Sequence, residues 1–355
     1  MQPIESSGYS IYFNQDCYPY LQQLLAGGQY SGIFILTDEN TSTHCLPGFL
    51  ANLATDLPFE IIEIEAGEEH KNITTCTEVW HALTELGAER KSLLINLGGG
   101  VVTDLGGFVA STFKRGMDFI NVPTTLLSMV DASVGGKTGV DLGVLKNQIG
   151  VITNPVAVLV DTTFLETLPA SQMRSGLAEM LKHGLIADKA YWEQFANLGN
   201  LTTDDMDGLV YRSVEIKNEV VKADPFEKGL RKILNFGHTL GHAIESYCLE
   251  NPEKETLLHG EAIAIGMVLE SYISWQQDLI SEAEYINIKE VISGIYTPVS
   301  FTPEDINVIN TLLVHDKKNE NGEIRFTLLE ATGRAVINKT VENTLILKAF
   351  EDYQN

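Results

Sequence analysis

"SLLINLGGGVVTDLGGFVAS", residues 92–111, is an apolar run, then three glycines, then a helical pattern that begins near Val101. A short β-rich run that stops on glycine and reopens as a helix is half of a strand–helix–strand unit, which predicts a parallel sheet with crossover helices. The glycines remove side chains where a pyrophosphate would approach, and the free amides and dipole of a helix start favour an anion. Thr103 stands at the place of the third glycine in G-x-G-x-x-G, so the general dinucleotide fingerprint is matched only in part. A plain tight turn ahead of a helix stays open as the alternative.

Outward from this unit the alternation repeats. "GIFILTD" (32–38), "FEIIEIEAG" (59–67), "DFINVPTT" (118–125) and "VAVLVD" (156–161) are further strand-like runs separated by helical patterns. Ligands of such sheets lie beyond the carboxyl ends of the strands, here the turns at Asp38, Gly98 and Thr124. After "TLPASQM" (167–173) the pattern changes to long amphipathic segments: "SGLAEMLKHGLIAD" (175–188), "RKILNFGHTLGHAIESY" (231–247) and "GEAIAIGMVLESYISWQ" (260–276), each expected to be a helix. "EIRFTLLEATGRAVIN" (323–338) reads as a hairpin turning at Thr332-Gly333. The expected fold class is an α/β N-terminal Rossmann-like parallel-sheet domain over residues 1–170, followed by a mainly α-helical domain over 171–355.

Composition agrees with two domains, because 355 residues exceed the usual size of a single core and 44% hydrophobic residues suffice to fill two. A formal net charge of −24 leaves no basic surplus to neutralise phosphates along a duplex, so nucleic acid is not an expected partner. An acidic exterior still permits a few lysines and arginines to converge on a small anion. Cys17, Cys45, Cys76 and Cys248 lie far apart without a CxxC pair, which fits reduced thiols better than a zinc knuckle or a disulfide framework. "MQPIESSGYSIYF" has no basic start leading into an apolar run, and no stretch reaches the roughly 18 apolar residues of a membrane span. A cytoplasmic protein without a membrane partner is expected.

Around the strand ends, "TDEN" (37–40) offers Asp38 and Asn40 to ribose hydroxyls or to an ordinary polar turn, and "AGEEHK" (66–71) offers Glu68 and Lys71. "VPTTLLSMVDASVGGKTGVD" (122–141) holds Thr124, Thr125, Asp131, Gly135-Gly136 and Lys137, a loop suited to an anion. Its GGKT is not the end of a P-loop, since Asp131 stands where the first glycine is required. In the helical half, "NFGHTLGHAIES" (235–246) sets His238 and His242 four positions apart on one helix face, where a single ion could touch both. Thr239 takes the place of the zincin glutamate, which removes a metalloprotease. Glu179, Lys182, Lys217, Arg231, Asn235 and His259 complete the polar set. A glutamate with two histidines is a ligand set of catalytic zinc with an open position, so Glu179, His238 and His259 compete with the His238/His242 pair. Each also has an innocent reading as a cap or a solvated side chain.

Taken in order, "GGGVVTDLGGFVASTFKRG", "VPTTLLSMVDASVGGKTGVD", "FLETLP", "GLAEMLKHGLI", "NFGHTLGHAIE" and "LHGEAIAIGM" resemble the 3-dehydroquinate synthase family of sugar phosphate cyclases, over about Asp38 to Leu329. The resemblance implies NAD and one divalent metal, zinc or cobalt. It implies a small phosphorylated sugar acid as substrate and a homodimer as the assembly. It gives the metal to Glu179, His238 and His259, and NAD to Asp38, Asn40, Glu68, Lys71, Gly99, Gly100, Asp104, Thr124, Thr125, Lys137, Lys146, Thr167 and Leu168. Substrate would meet Asp131, Lys137, Asn147, Lys182, Lys217, Arg231, Asn235, His242 and one of Lys317 and Lys318, with Arg115 reaching the neighbouring subunit's site. By this resemblance His238 binds metal and His242 binds substrate. The chain departs from the family at Leu145, where glycine is frequent, and in the length of "SYCLENPEKETLLHG" before His259.

The implied reaction starts with hydride transfer to NAD from a secondary alcohol of 3-deoxy-D-arabino-heptulosonate 7-phosphate, with a metal stabilising the alkoxide charge. The new ketone acidifies the adjacent C–H and permits loss of phosphate, after which hydride returns, the ring opens and an intramolecular aldol step closes the carbocycle. Three rivals are weighed against this reading. A cyclase taking sedoheptulose 7-phosphate, which lacks the carboxylate, is disfavoured by the presence of both Lys217 and Arg231. A glycerol dehydrogenase type of enzyme would release NADH, which a cyclase does not. A catalytically dead binding module is disfavoured by intact Glu179, Lys182, His238 and His259.

Overall fold

Strands covered on both faces need no polar side, and the central runs of this chain have none. The computed structural model describes residues 1–143, 145–195, 203–313 and 324–355, and it divides into two compact units, Met1–Pro169 and Ala170–Asn355. Strands of the first unit are β1 (Ile4–Glu5), β2 (Ser10–Phe13), β3 (Gly32–Asp38), β4 (Phe59–Ile64), β5 (Ser92–Gly98), β6 (Asp118–Pro123), β7 (Lys137–Leu142), β8 (Leu145–Ile152) and β9 (Ala157–Val160). Seven of them form one sheet in the order β1-β2-β9-β6-β5-β3-β4, parallel at every pairing but β1 with β2. Ile35 lies opposite Ile61 on one side and Ile95 on the other, and β5 is buried along its whole length. Continuous burial is the signature of a parallel sheet with helices on both faces.

The glycine-rich turn after β5 starts the crossover helix Gly100–Thr112, whose Leu105 and Val109 pack with Leu36, Leu94 and Phe119 in one core. This helix presses on the sheet at Gly106, where a Cβ would stand 2.0 Å from Asn96 Oδ1. Thr103, at the place of the usual third glycine, is buried and its hydroxyl donates back to the carbonyl of Gly99 (3.2 Å). Close helix–strand approach is thus achieved about a turn later than in the general fingerprint. The stretch read as an anion loop folds differently from that expectation: residues after Gly135-Gly136 enter the antiparallel hairpin β7/β8, and the Gly135 amide donates to the Tyr9 hydroxyl (3.0 Å).

The second unit is mainly helical, with Ala170–Ala187, Thr203–Ala223, His238–Glu250, His259–Gln276, Glu282–Ser293, Pro303–Leu313 and Asn343–Tyr353. One hairpin, β10 (Arg325–Ala331) with β11 (Arg334–Thr340), turns at Thr332-Gly333, Ala331 facing Arg334. Leu240, Ile244, Ile265, Leu269, Ile309, Phe326 and Phe350 share the core. Residues 231–247 are not one helix as the periodicity suggested: a 3-10 turn over Leu230–Asn235 ends, and the α-helix starts afresh at His238. Gly237 breaks the segment, because its backbone is left-handed (φ 78°). Its amide is held by the fully buried Glu270, whose carboxylate also accepts the Leu240 amide (2.6 and 3.2 Å). Among the described residues, no helix is long and apolar enough to cross a membrane.

Candidate active site

In the first unit, Glu68, Lys71 and Lys146 lie beside Asp104 of the Gly100–Thr112 helix. Lys71, which follows the Glu68–His70 turn after β4, is buried and donates to Asp104 Oδ2 of that helix at 2.7 Å. Glu68 Oε1 lies 3.9 Å from Lys71 Nζ and 3.6 Å from Lys146 Nζ on β8, so four charged groups of alternating sign line one locus. Burial disfavours the Lys71 ammonium, but Asp104 and Glu68 outweigh it and hold its pKa above the usual lysine value. The Lys71 carbonyl accepts the Asp141 amide (2.9 Å), and Asp141 in turn accepts the amide of Asn147 (2.6 Å), whose backbone is left-handed (φ 51°). Leu145 pairs with Leu142 and closes this hairpin.

Asp38 ends β3 and caps the next helix through Thr41 (2.8 Å), while Asn40 is exposed two residues on. A Cβ on Gly99 would meet Thr125 Cγ2 at 3.0 Å, so the glycine turn and the Thr124-Thr125 turn after β6 are in contact. Thr125 caps Ser128 (3.2 Å), and the buried Thr124 hydroxyl, beside the Cys45 thiol, has no hydrogen bond of ordinary geometry. Thr167 and Leu168 close the 3-10 turn Thr162–Thr167 near the end of this unit. Asp131 sits in the π-helical turn Ser128–Ala132, Lys137 opens β7 with an exposed side chain, and Arg115 is exposed at the end of the turn that follows the Gly100–Thr112 helix.

In the second unit three helices bring Glu179, His238 and His259 together. His238 and His259 are each the first residue of a helix, and Glu179 lies mid-way along Ala170–Ala187. Glycines make the approach possible: a Cβ on Gly266 would stand 2.0 Å from the Gly237 carbonyl, and one on Gly260 would stand 2.0 Å from that of Ser175. Glu179 is fully buried, and its Oε2 accepts from Lys182, one turn on. Its Oε1 has no hydrogen-bond partner, yet it lies 3.5 Å from His238 Nε2 and 3.8 Å from His259 Nε2. The far nitrogens are engaged: His238 Nδ1 meets the Phe236 carbonyl (3.1 Å) and His259 Nδ1 meets the Glu245 carboxylate (3.2 Å). Acceptors at Nδ1 place the proton there and leave the Nε2 lone pairs facing a carboxylate oxygen. Lone pairs converging on an unsatisfied oxygen suit a divalent cation, so the donor set fits a metal.

His242 comes close as well. Its ring centroid is 5.0 Å from that of His238 and 5.7 Å from that of His259, and the three histidines alone could present ligand atoms to one ion. Lys182, Lys217 and Arg231 are all buried cations, and Arg231 donates to the Pro225 carbonyl (2.8 Å). Asn235 donates to Glu227 (2.8 Å). Lys317 and Lys318 lie outside the described residues. Two carboxylates that build this region, Glu245 and Glu270, were not among the residues singled out from sequence. A glutamate within a helical pattern has the same appearance whether it is solvated or buried.

The 3-dehydroquinate synthase N-terminal family model matches residues 61–175 and the C-terminal model matches 176–319. A 3-dehydroquinate synthase of Parabacteroides distasonis is 42% identical over 94% of this chain and 94% of its own length. This chain belongs to the 3-dehydroquinate synthase family. Among solved structures, a 2-epi-5-epi-valiolone synthase of Streptomyces hygroscopicus with NAD+ and Zn2+ bound is similar with a TM-score of 0.88 and 28% identity, covering 100% of this chain and 99% of that one. A 2-deoxy-scyllo-inosose synthase complexed with carbaglucose-6-phosphate, NAD+ and Co2+ is similar at 0.86 and 25% identity, covering 99% and 100%. Both neighbours share the fold described above.

Proposed function

We propose that this chain converts 3-deoxy-D-arabino-heptulosonate 7-phosphate to 3-dehydroquinate and inorganic phosphate, a step of the shikimate route to aromatic amino acids, using NAD and one divalent metal, zinc or cobalt. The observation that carries the reading is the convergence of Glu179 Oε1 with the Nε2 atoms of His238 and His259 in a member of this family. When bound, NAD supplies a reversible hydride acceptor and the metal supplies a Lewis acid for the reacting alcohol. Glu179, His238 and His259 would hold the metal. Asp38, Asn40, Glu68, Lys71, Asp104 and Lys146 would hold the cofactor with the Gly99-Gly100 turn and the hydroxyls of Thr124 and Thr125.

Substrate recognition then falls to cations embedded in an acidic chain. Arg231, planar and able to make paired hydrogen bonds, suits the carboxylate together with Lys217. Lys137, Lys182 and Arg115 of the partner subunit supply further positive charge, and Asn235 and His242 orient hydroxyls. We also read the working enzyme as a cytoplasmic homodimer. Phosphate release from the heptulosonate phosphate tests the proposal directly. It should occur with no net NADH accumulation, stop on treatment with a strong chelator, return with Zn2+ or Co2+, and be absent with sedoheptulose 7-phosphate. Stoichiometric NADH formation, or phosphate release indifferent to the chelator, would refute it.

A further inference from the structure

We propose that Glu245 is a positioning residue of the metal centre, holding His259 from a different helix in the orientation and tautomer that ligation requires. The inference rests on reading Glu179, His238 and His259 as the ligands. Glu245 follows His238 by seven residues and His242 by three, so the three side chains lie along one stripe of the His238–Glu250 helix. The same helix therefore presents one ligand itself and reaches across to fix another. The reach is direct: Glu245 Oε2 is 3.2 Å from His259 Nδ1, while His259 Nε2 points to Glu179 Oε1 at 3.8 Å.

Burial makes this contact informative. Glu245 is only 5% exposed, and a carboxylate taken out of water without compensation is costly. Its neighbours on the helix, Leu240, Ala243, Ile244 and Tyr247, belong to the apolar core, where an aliphatic side chain would have packed without that cost. Part of the compensation it receives from the structure is its contact with the His259 ring. His238 is served differently, since its Nδ1 meets a neutral main-chain carbonyl, that of Phe236 at 3.1 Å. A carboxylate acceptor both fixes the tautomer and makes the imidazole a stronger donor to a metal than a neutral carbonyl does. His259 thus owes part of its ligand strength to a side chain that substitution can remove.

Zn2+ titration of the metal-free protein against a chromophoric chelator tests this without reference to turnover. Glu245→Ala should bind Zn2+ roughly 10- to 100-fold more weakly than wild type, the loss usual for a missing outer-shell partner of a ligating histidine. Glu245→Gln, which keeps an acceptor oxygen and loses the charge, should show a smaller loss. NAD affinity should stay at the wild-type value in both, and Glu245→Gln, which keeps the volume of the side chain, should also keep the thermal midpoint of the metal-free protein. Unchanged Zn2+ affinity in the two variants overturns the proposal, as does a loss that appears only together with weakened NAD binding and a lowered midpoint. His259→Ala separates the underlying reading: if that variant also binds Zn2+ like wild type, the ligand assignment itself is wrong. If His259→Ala loses Zn2+ and the Glu245 variants do not, only the role of Glu245 falls.

Discussion

His238 and His242 occupy successive turns of one helix, yet their surroundings differ. The ring of His238 is fixed from behind by the Phe236 carbonyl and looks toward the unsatisfied oxygen of Glu179. With Glu179 and His259 it would make three protein ligands and leave the open position a catalytic metal needs for substrate; a fourth ligand from His242 would close it. His238→Ala should therefore lose bound metal along with activity. His242→Ala should retain near-stoichiometric metal by elemental analysis while turnover falls. Equal metal loss in both variants would mean that the pair holds the ion jointly, a geometry the 5.0 Å ring separation permits. Spacing alone left both options open in the sequence, because i and i+4 side chains are neighbours whatever they bind. Glu270 shows the opposite limit. Nothing in "MVLES" distinguishes it from a solvated glutamate, and only the structure shows it buried against the amides that begin the His238 helix.

The helices of the second unit meet where side chains are missing. Gly266 contacts the Gly237 carbonyl so closely that an added methyl would stand 2.0 Å from it and 2.8 Å from the Gly241 amide nitrogen. Those atoms are backbone, so the strain cannot be relieved by turning a side chain. Gly266→Ala should push the His259–Gln276 and His238–Glu250 helices apart at a cost of about 1 to 3 kcal/mol, the range for overpacking a tight interior. The shift falls next to His238 and His259, so on the proposed ligand set metal affinity should drop with stability. Calorimetry on the metal-free protein and a Zn2+ titration check the two effects, and a variant unchanged in both would show that the contact is not tight. Element boundaries were legible where burial was uniform: Ile33 to Leu36 and Leu93 to Ile95 read as unbroken apolar runs because both sheet faces are covered. The β7/β8 hairpin was not legible, since Gly135, Gly136 and Lys137 have the composition of a loop. The break at Gly237 was hidden because the 3-10 turn ahead of it keeps nearly the periodicity of the helix behind it.

At the scale of the whole molecule, 48 acidic against 24 basic residues give a field that repels a doubly anionic substrate, so recognition depends on a few cations placed where they count. Arg115 is placed at some expense. Lys114 and Arg115 both have left-handed backbone (φ 47° and 71°), a conformation unfavourable for side chains with a Cβ. Arg90 Nε holds the Lys114 carbonyl (2.7 Å), and Lys114 Nζ donates to the Ala88 carbonyl (2.5 Å), so the strained turn is clasped to the preceding loop while Arg115 stays exposed. Strain maintained at an exposed arginine is consistent with a task outside its own subunit. If Arg115 serves the partner's site, chains carrying Arg115→Ala and chains carrying Lys182→Ala should each be inactive alone. Mixed and allowed to exchange, they should recover activity, because each hybrid dimer has one site with both residues intact. Random exchange makes half the dimers hybrid, so recovery should approach roughly a quarter of wild-type activity. Verified heterodimers with no recovered activity would place Arg115 in its own subunit's site or outside both, and the strained turn would then need another cause.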